Sequence, residues 1–185
     1  ILPLVPTGFG DSPYAGLSAH AGNTLLINPD LLVEENLLSK SALENLPRFS
    51  IDKVNFGKVI EFKQKLLQEA FSNYQKSPDT QLQADFLAFC QKQSFWLEDY
   101  ALYKALKKKH NGASWDNWAS QYATLESGAL EQAHDELIDD ILSEQFFQYL
   151  FFRQWSKLKS YCNKKKISIV GDMPIFVAYD SCDVW

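Results

Sequence analysis

Histidine, cysteine and methionine are scarce in this chain of 185 residues, which has three, three and one of them. His20, His110 and His134 form no pair at i, i+4 spacing, and Cys90, Cys162 and Cys182 form no Cys-x-x-Cys, so no metal is expected. An odd, widely spaced set of cysteines fits reduced thiols rather than a disulfide framework. No apolar run approaches the roughly 20 residues that span a bilayer. The chain also opens without a Met, a charged leader or a signal-like segment, so a cytoplasmic protein with no membrane partner is expected. Cationic excess is missing too: the net charge is -5. A dense cluster, Lys104 with Lys107, Lys108 and Lys109, falls at a helix end where it complements the macrodipole, which leaves nucleic acid out of the expected partners.

What the chain does have is an ordinary globular balance, 46% hydrophobic against 22% charged, enough for a substantial core in one domain. Aromatic residues make up 14%. Flat rings serve sugar-binding clefts, but rings recurring at helical spacing are read first as core. Tyr14 and Trp185, which fall in loops, are the exceptions. Trp115 and Trp118 lie in a loop, where a sugar platform and packing between helices are both readings, with packing preferred.

Two stretches carry chemistry. Ser168-Ile-Val-Gly-Asp172-Met-Pro-Ile-Phe-Val-Ala-Tyr-Asp180-Ser-Cys-Asp-Val-Trp185 puts carboxylates just past a β-branched run that reads as a buried strand. Ligands bind at the carboxyl ends of parallel strands, so Asp172 is a site candidate by position, although an aspartate there also serves as a loop or helix cap. Near the start runs Ile1-Leu-Pro-Leu-Val-Pro-Thr-Gly-Phe-Gly-Asp-Ser-Pro-Tyr14-Ala-Gly-Leu-Ser-Ala-His-Ala-Gly-Asn23, a short strand opening into a Gly- and Pro-rich loop.

Between them the pattern is helical. A short helix is expected from Pro29 to about Leu38, and a second from Ser41 to Leu46 with Ser41 and Glu44 at capping-box spacing. A long amphipathic helix follows over about Asn55 to Ser77. Asp79 starts another, Ser94 caps a third that runs to about His110, and Gly128 to about Lys164 reads as one helix. Roughly 130 residues of helix between two short strands exceed what a βα unit needs, so the block reads as an insertion attached to a barrel. The expected fold class is therefore α/β: a partial (β/α)8 TIM barrel, early strands only, with a large α-helical inserted subdomain. The expected segments are 1–30 (first strand and substrate loop), 31–127 (helical insertion) and 128–185 (long helix, strand and strand-end loop). A full barrel needs roughly 250 residues, so the chain is read as a fragment of a longer protein.

The two stretches resemble the 4-α-glucanotransferases, the amylomaltases or disproportionating enzymes, whose pattern is L-P-L-x-P-T-G-[YF]-G-D-S-P-Y, then S-x-x-A-G-N, and later G-D-[MLI]-P-I-[FY]-V-A-x-D-S-[AC]-[DE]-V-W. The segments Phe95 to Lys107 and Phe151 to Lys159 are similar to that family as well, so the resemblance covers most of the chain in order. It implies an α-amylase-type barrel with inserted helices and transfer of α-1,4-glucan segments to the 4-OH of an acceptor glucose or glucan, without metal or organic cofactor. An α-glucan hydrolase on the same barrel, or a non-catalytic carbohydrate-binding or helical scaffold domain, remains the alternative. Retaining chemistry needs a carboxylate nucleophile and an acid/base about 5 to 5.5 Å apart. The family's catalytic carboxylates match no position here, so no catalytic residue is assigned, although Asp11 and Asp172 invite pairing.

Substrate binding does carry over. Tyr14 matches the tyrosine whose ring lies at the sugar beside the scissile bond, with Ser12 in the same loop, and Asp172 matches the acid that accepts hydrogen bonds from glucose hydroxyls. Asp180, Ser181 and Trp185 belong to the continuing loop and are weaker members of the set. The implied partner is a maltooligosaccharide. Phe9 stands where many members have a tyrosine tied to a secondary glucan contact, and Ala15, His20 and Thr24 replace expected Gln, Phe and Pro. His20, alone in a Gly- and Ser-rich loop, is read as a surface or packing residue.

Overall fold

The computed structural model describes residues 1–44, 46–76 and 79–185, and among them the architecture is helical. Six α-helices follow in order: α1 Pro29–Glu34, α2 Phe56–Lys76, α3 Thr80–Lys109, α4 Ser120–Ala123, α5 Ser127–Glu136 and α6 Ile138–Lys164. Short 3-10 turns at Phe9–Asp11 and Thr24–Leu26 precede them, and others at Lys40–Leu43 and Trp115–Asn117 lie between them.

The expected α/β fold, a partial (β/α)8 barrel, is corrected by this finding. Among the described residues there is no sheet, only an isolated antiparallel bridge between Thr7 and Gly16. A strand satisfies its backbone groups only against a neighbour, whereas a helix satisfies its own. The segments read as strands meet at a single point, where the Ile1 ammonium donates to the Val170 carbonyl (2.6 Å) and the Asp172 N–H to the Ile1 carbonyl (2.9 Å). No ladder follows, and Val170, read as buried, is 77% exposed.

Helix boundaries differ from the sequence reading where local signals compete. α1 stops at Glu34 rather than Leu38, because Asn36 turns left-handed (φ 58°) and the Leu37 N–H closes back on the Leu32 carbonyl at 2.8 Å. The Ser41–Leu46 helix is a 3-10 turn over Lys40–Leu43, capped two residues earlier by Ser39, whose Oγ accepts from the Ala42 N–H. Part of that expectation, at Asn45, lies outside the described residues, as does the end expected at Ser77. Asp79 does cap α3, its carboxylate accepting from the Leu82 N–H at 2.9 Å. Ser94 caps nothing, however: α3 runs through it for 30 residues, about 45 Å at 1.5 Å per residue. The Gly128–Lys164 pattern is two helices broken at Leu137 (φ -108°, ψ 19°). A continuous helix would stack Asp135 on Asp139 and Glu136 on Asp140, like charges at i, i+4. The break instead places Asp139 and Asp140 in the first turn of α6, where the helix N-terminus favours them.

α6 packs along α3 and against α2. Their shared core is a ring stack: Phe146, fully buried, lies 4.4 Å from Tyr74 at 21° and meets Phe86 edge-on at 5.4 Å. Two glutamines of α6 then bind the N-terminal loop by its backbone. Gln148 accepts from the Gly22 N–H (2.7 Å) and donates to the Gly22 carbonyl (3.0 Å). Gln154 does the same at Asn28, at 2.8 and 3.1 Å. Gly22 lies so close to α6 that a Cβ there would fall 1.9 Å from the Phe151 ring, so only glycine fits. Arg153 and Lys157 add ion pairs to Glu35 at 3.1 and 2.7 Å.

Candidate functional site

The N-terminal loop folds back on itself. Gly8 N–H donates to the Ala15 carbonyl and Leu17 N–H to the Pro6 carbonyl, both at 2.8 Å. The backbone at Gly16 abuts Val5, whose Cγ2 would lie 2.5 Å from an added Cβ. The chain reverses through Gly10 (φ 70°) and Asp11 (φ 54°), left-handed positions suited to glycine and tolerated by aspartate. A second turn, closed by the Ala15 N–H on the Ser12 carbonyl at 3.2 Å, leaves Tyr14 at its tip and 47% exposed. Ser12 Oγ accepts from the Tyr14 N–H at 3.2 Å, so Ser12 shapes the turn that presents the ring.

The C-terminal segment is stitched to this loop. Cys182 N–H donates to the Leu17 carbonyl (2.9 Å), and Asp183 accepts from the Ala19 N–H (2.8 Å). With the Ile1 contacts at the other end, these bonds bring Asp172 to the tip of the loop, and the Tyr14 hydroxyl donates to Asp172 Oδ2 at 2.6 Å. The bond joins residues 158 positions apart. It also holds the Tyr14 phenol above its ordinary pKa, first through the hydrogen bond to Asp172, then through desolvation and the carboxylate's charge, so Tyr14 stays a proton donor. The same two segments border a cleft of about 330 Å3, lined by Val5, Ser18 and Ala19 on one side and Met173, Ile175 and Asp183 on the other.

Of the residues singled out in the sequence, Tyr14, Ser12 and Asp172 come together. Asp180, Ser181 and Trp185 have partners elsewhere within the fold. Asp180 accepts from Tyr103 Oη (2.9 Å) and from Lys107 Nζ (2.6 Å). Ser181 is fully buried and donates to the Ala178 carbonyl at 2.6 Å. Trp185 donates from its indole to the Tyr122 carbonyl at 2.9 Å and packs on Tyr103 and Trp118. These three pin the segment that carries Asp172. It is Tyr14, not Asp11, that meets Asp172. Phe9 projects into solvent, 97% exposed. His20 packs on Phe95 and Trp96, at ring distances of 5.5 and 6.3 Å. The thiol of Cys182, beneath the segment, is pushed up to about 12 by burial and then by the charges of Asp183 and Asp99, which leaves it inert.

Sequence reasoning overlooked Gln148 and Asp183, which position the loop without belonging to its tip. Gln148 had a signal: it is a lone amide inside Phe146-Phe147-Gln148-Tyr149-Leu150-Phe151 and is fully buried. A buried amide in an apolar run needs polar partners, and here it finds a backbone. Away from both motifs, a larger cleft of about 510 Å3 among α2, α3 and α6 holds Lys104, Lys108, Asp140 and Glu144. Its charges offset one another, as in the 2.7 Å pair of Lys108 with Asp140.

The family model described as 4-alpha-glucanotransferase matches residues 1–185. A 4-alpha-glucanotransferase of Synechocystis sp. is 45% identical over 185 residues, which cover all of this chain and 37% of that protein. One from Thermus thermophilus is 42% identical over 185 residues, covering all of the chain and 36% of its own length. Among solved structures, the amylomaltase from Streptococcus agalactiae in complex with acarbose superposes with a TM-score of 0.94 at 36% identity, over all of this chain and 37% of that one. The chain thus spans little more than a third of the length of these relatives. With the family model matched from end to end, the chain belongs to the 4-alpha-glucanotransferase family.

Proposed function

We propose that the protein transfers segments of α-1,4-glucan from a donor to the 4-OH of an acceptor glucose or glucan with retention, and that this chain supplies part of the substrate-binding wall. The observation that carries the reading is the 2.6 Å contact of Tyr14 with Asp172. It joins, at one exposed point, the two motifs that characterise the family. A ring face beside an ionised acceptor suits a pyranose, whose C–H face lies on the ring while its hydroxyls donate to the carboxylate. Acarbose, bound in the Streptococcus agalactiae amylomaltase, points to the same class of ligand. The substrate is then a maltooligosaccharide, Tyr14 its ring contact and Asp172 its acceptor. Ser12 orders the turn beneath, and Asp180, Ser181 and Trp185 support the wall from behind.

The nucleophile and acid/base of a retaining transfer fall to residues outside this chain, since no position here matches them. We place the protein in the cytoplasm, a reading supported by three free cysteines. Incubating the intact protein with maltotriose tests the activity. The expected product is a ladder of dextrins longer than the substrate, while glucose and maltose alone make the protein a hydrolase and overturn the transferase reading.

A further inference from the structure

One face of α2 carries charges that complement themselves. Lys58, Glu61, Lys65 and Glu69 follow at steps of three, four and four residues, which lines them up along one side of the helix. Read in reverse, plus, minus, plus, minus becomes its own opposite. Lys58 and Glu69 lie about 16 Å apart along the axis, with Glu61 and Lys65 at the middle of that span. Two such helices laid antiparallel, with a twofold axis near residues 63 and 64, set each Lys58 against the partner's Glu69 and each Glu61 against the partner's Lys65. Alternating charge alone also suits a solvated helix, which pairs its charges along itself. Here Glu61 and Lys65, at the i, i+4 spacing that favours such a pair, do not make one, and none of the four enters an ion pair among the described residues.

Beside the charges lie a projection and a groove. The Phe49 ring meets Phe62 of α2 at 5.9 Å and 63°, which sets the segment before the helix against it. Beyond that contact Ile51 is 99% exposed and Val54 66%. A cleft of about 670 Å3 runs between this segment and α2, walled by Ala42, Pro47, Phe62 and Leu66, and the four charges border it. A contact between two identical surfaces needs a projection and its receptor on the same patch, related by the same twofold axis as the charges. Aliphatic side chains in water beside an apolar groove supply that combination.

We infer that this face joins two copies of the protein, α2 antiparallel to the partner's α2 and Ile51 of each copy entering the cleft of the other. The pairing is independent of the Tyr14–Asp172 contact and of the glucan reading.

Sedimentation equilibrium of the intact protein tests it, and a dimer is expected. Lys58→Glu and Glu69→Lys each set like charges against one another at two symmetric places, so each alone should raise the dimer dissociation constant by at least about tenfold. An equimolar mixture of the two should dimerise again, because in the mixed pair every reversed side chain faces its opposite. Ile51→Asp, at a position almost wholly in water and so without effect on folding, should also give monomer. Lys92→Glu, the same charge change at an exposed position on α3, should leave the dimer intact. A monomeric parent overturns the pairing, as does a dimer indifferent to Ile51→Asp and to both charge reversals, or a mixture that stays monomeric. A monomer that still builds longer dextrins from maltotriose leaves the transferase reading standing.

Discussion

The interior of the helical block and the seam between the chain's two end segments are built on opposite terms. Phe146 sits fully buried among Phe71, Tyr74, Phe86 and Tyr149, with ring centroids between 4.4 and 6.1 Å. The seam has Tyr14 and Asp172 joined by one hydrogen bond in the open, between Phe9 at 97% and Met173 at 83% exposure. The block is stabilised by burial and by backbone bonds that each helix makes within itself. The seam depends on single hydrogen bonds between distant segments and leaves polar groups at the surface. On the proposed reading, stability and binding fall to different residues, and Gln148, which ties the loop to α6, is where the two meet.

Substitution inside the block should show the largest loss of stability. Phe146→Ala removes the centre of the ring stack and should destabilise by about 3 to 5 kcal/mol. Chemical denaturation of the intact protein measures this, and kcat/KM of whatever remains folded should be close to that of the parent. An intermediate effect is expected at the joint. Gln148→Leu keeps the bulk but strands the Gly22 N–H and carbonyl, at a cost of about 2 kcal/mol. Because the loop loses its tether, kcat/KM should fall together with the melting temperature. A variant that lost stability alone would separate the joint from the site and blunt the contrast between the two regions.

The same contrast explains what could be read from the sequence. The amphipathic spacing of Val59, Phe62, Leu66, Ala70 and Tyr74 located α2 to within a residue at its start, because a helix's pattern and hydrogen bonds are both local. The run Ile167 to Val170 read as a strand and is not one, since a strand needs partners that no local pattern reveals. Ser94 misled for the opposite reason: a capping residue type in mid-helix is tolerated when Trp96 and Leu97 carry the packing onward. Tyr14 and Asp172 were legible through their motifs, but the contact between them was not. It depends on Gln148, Asp183 and the Ile1 backbone, whose roles appear only when the chain is folded.

Smallest in stability should be the effect of changing the seam itself, and there the central claim is most directly exposed. Asp172→Asn keeps the shape of the side chain but removes the charge that accepts from Tyr14 and that, on the proposed reading, accepts from sugar hydroxyls. Measured on the intact protein with maltotriose, kcat/KM should fall by about ten- to a hundredfold. The melting temperature should stay within about 2 °C of the parent. An unchanged kcat/KM with a clearly lowered melting temperature would contradict the account and make Asp172 a structural cap.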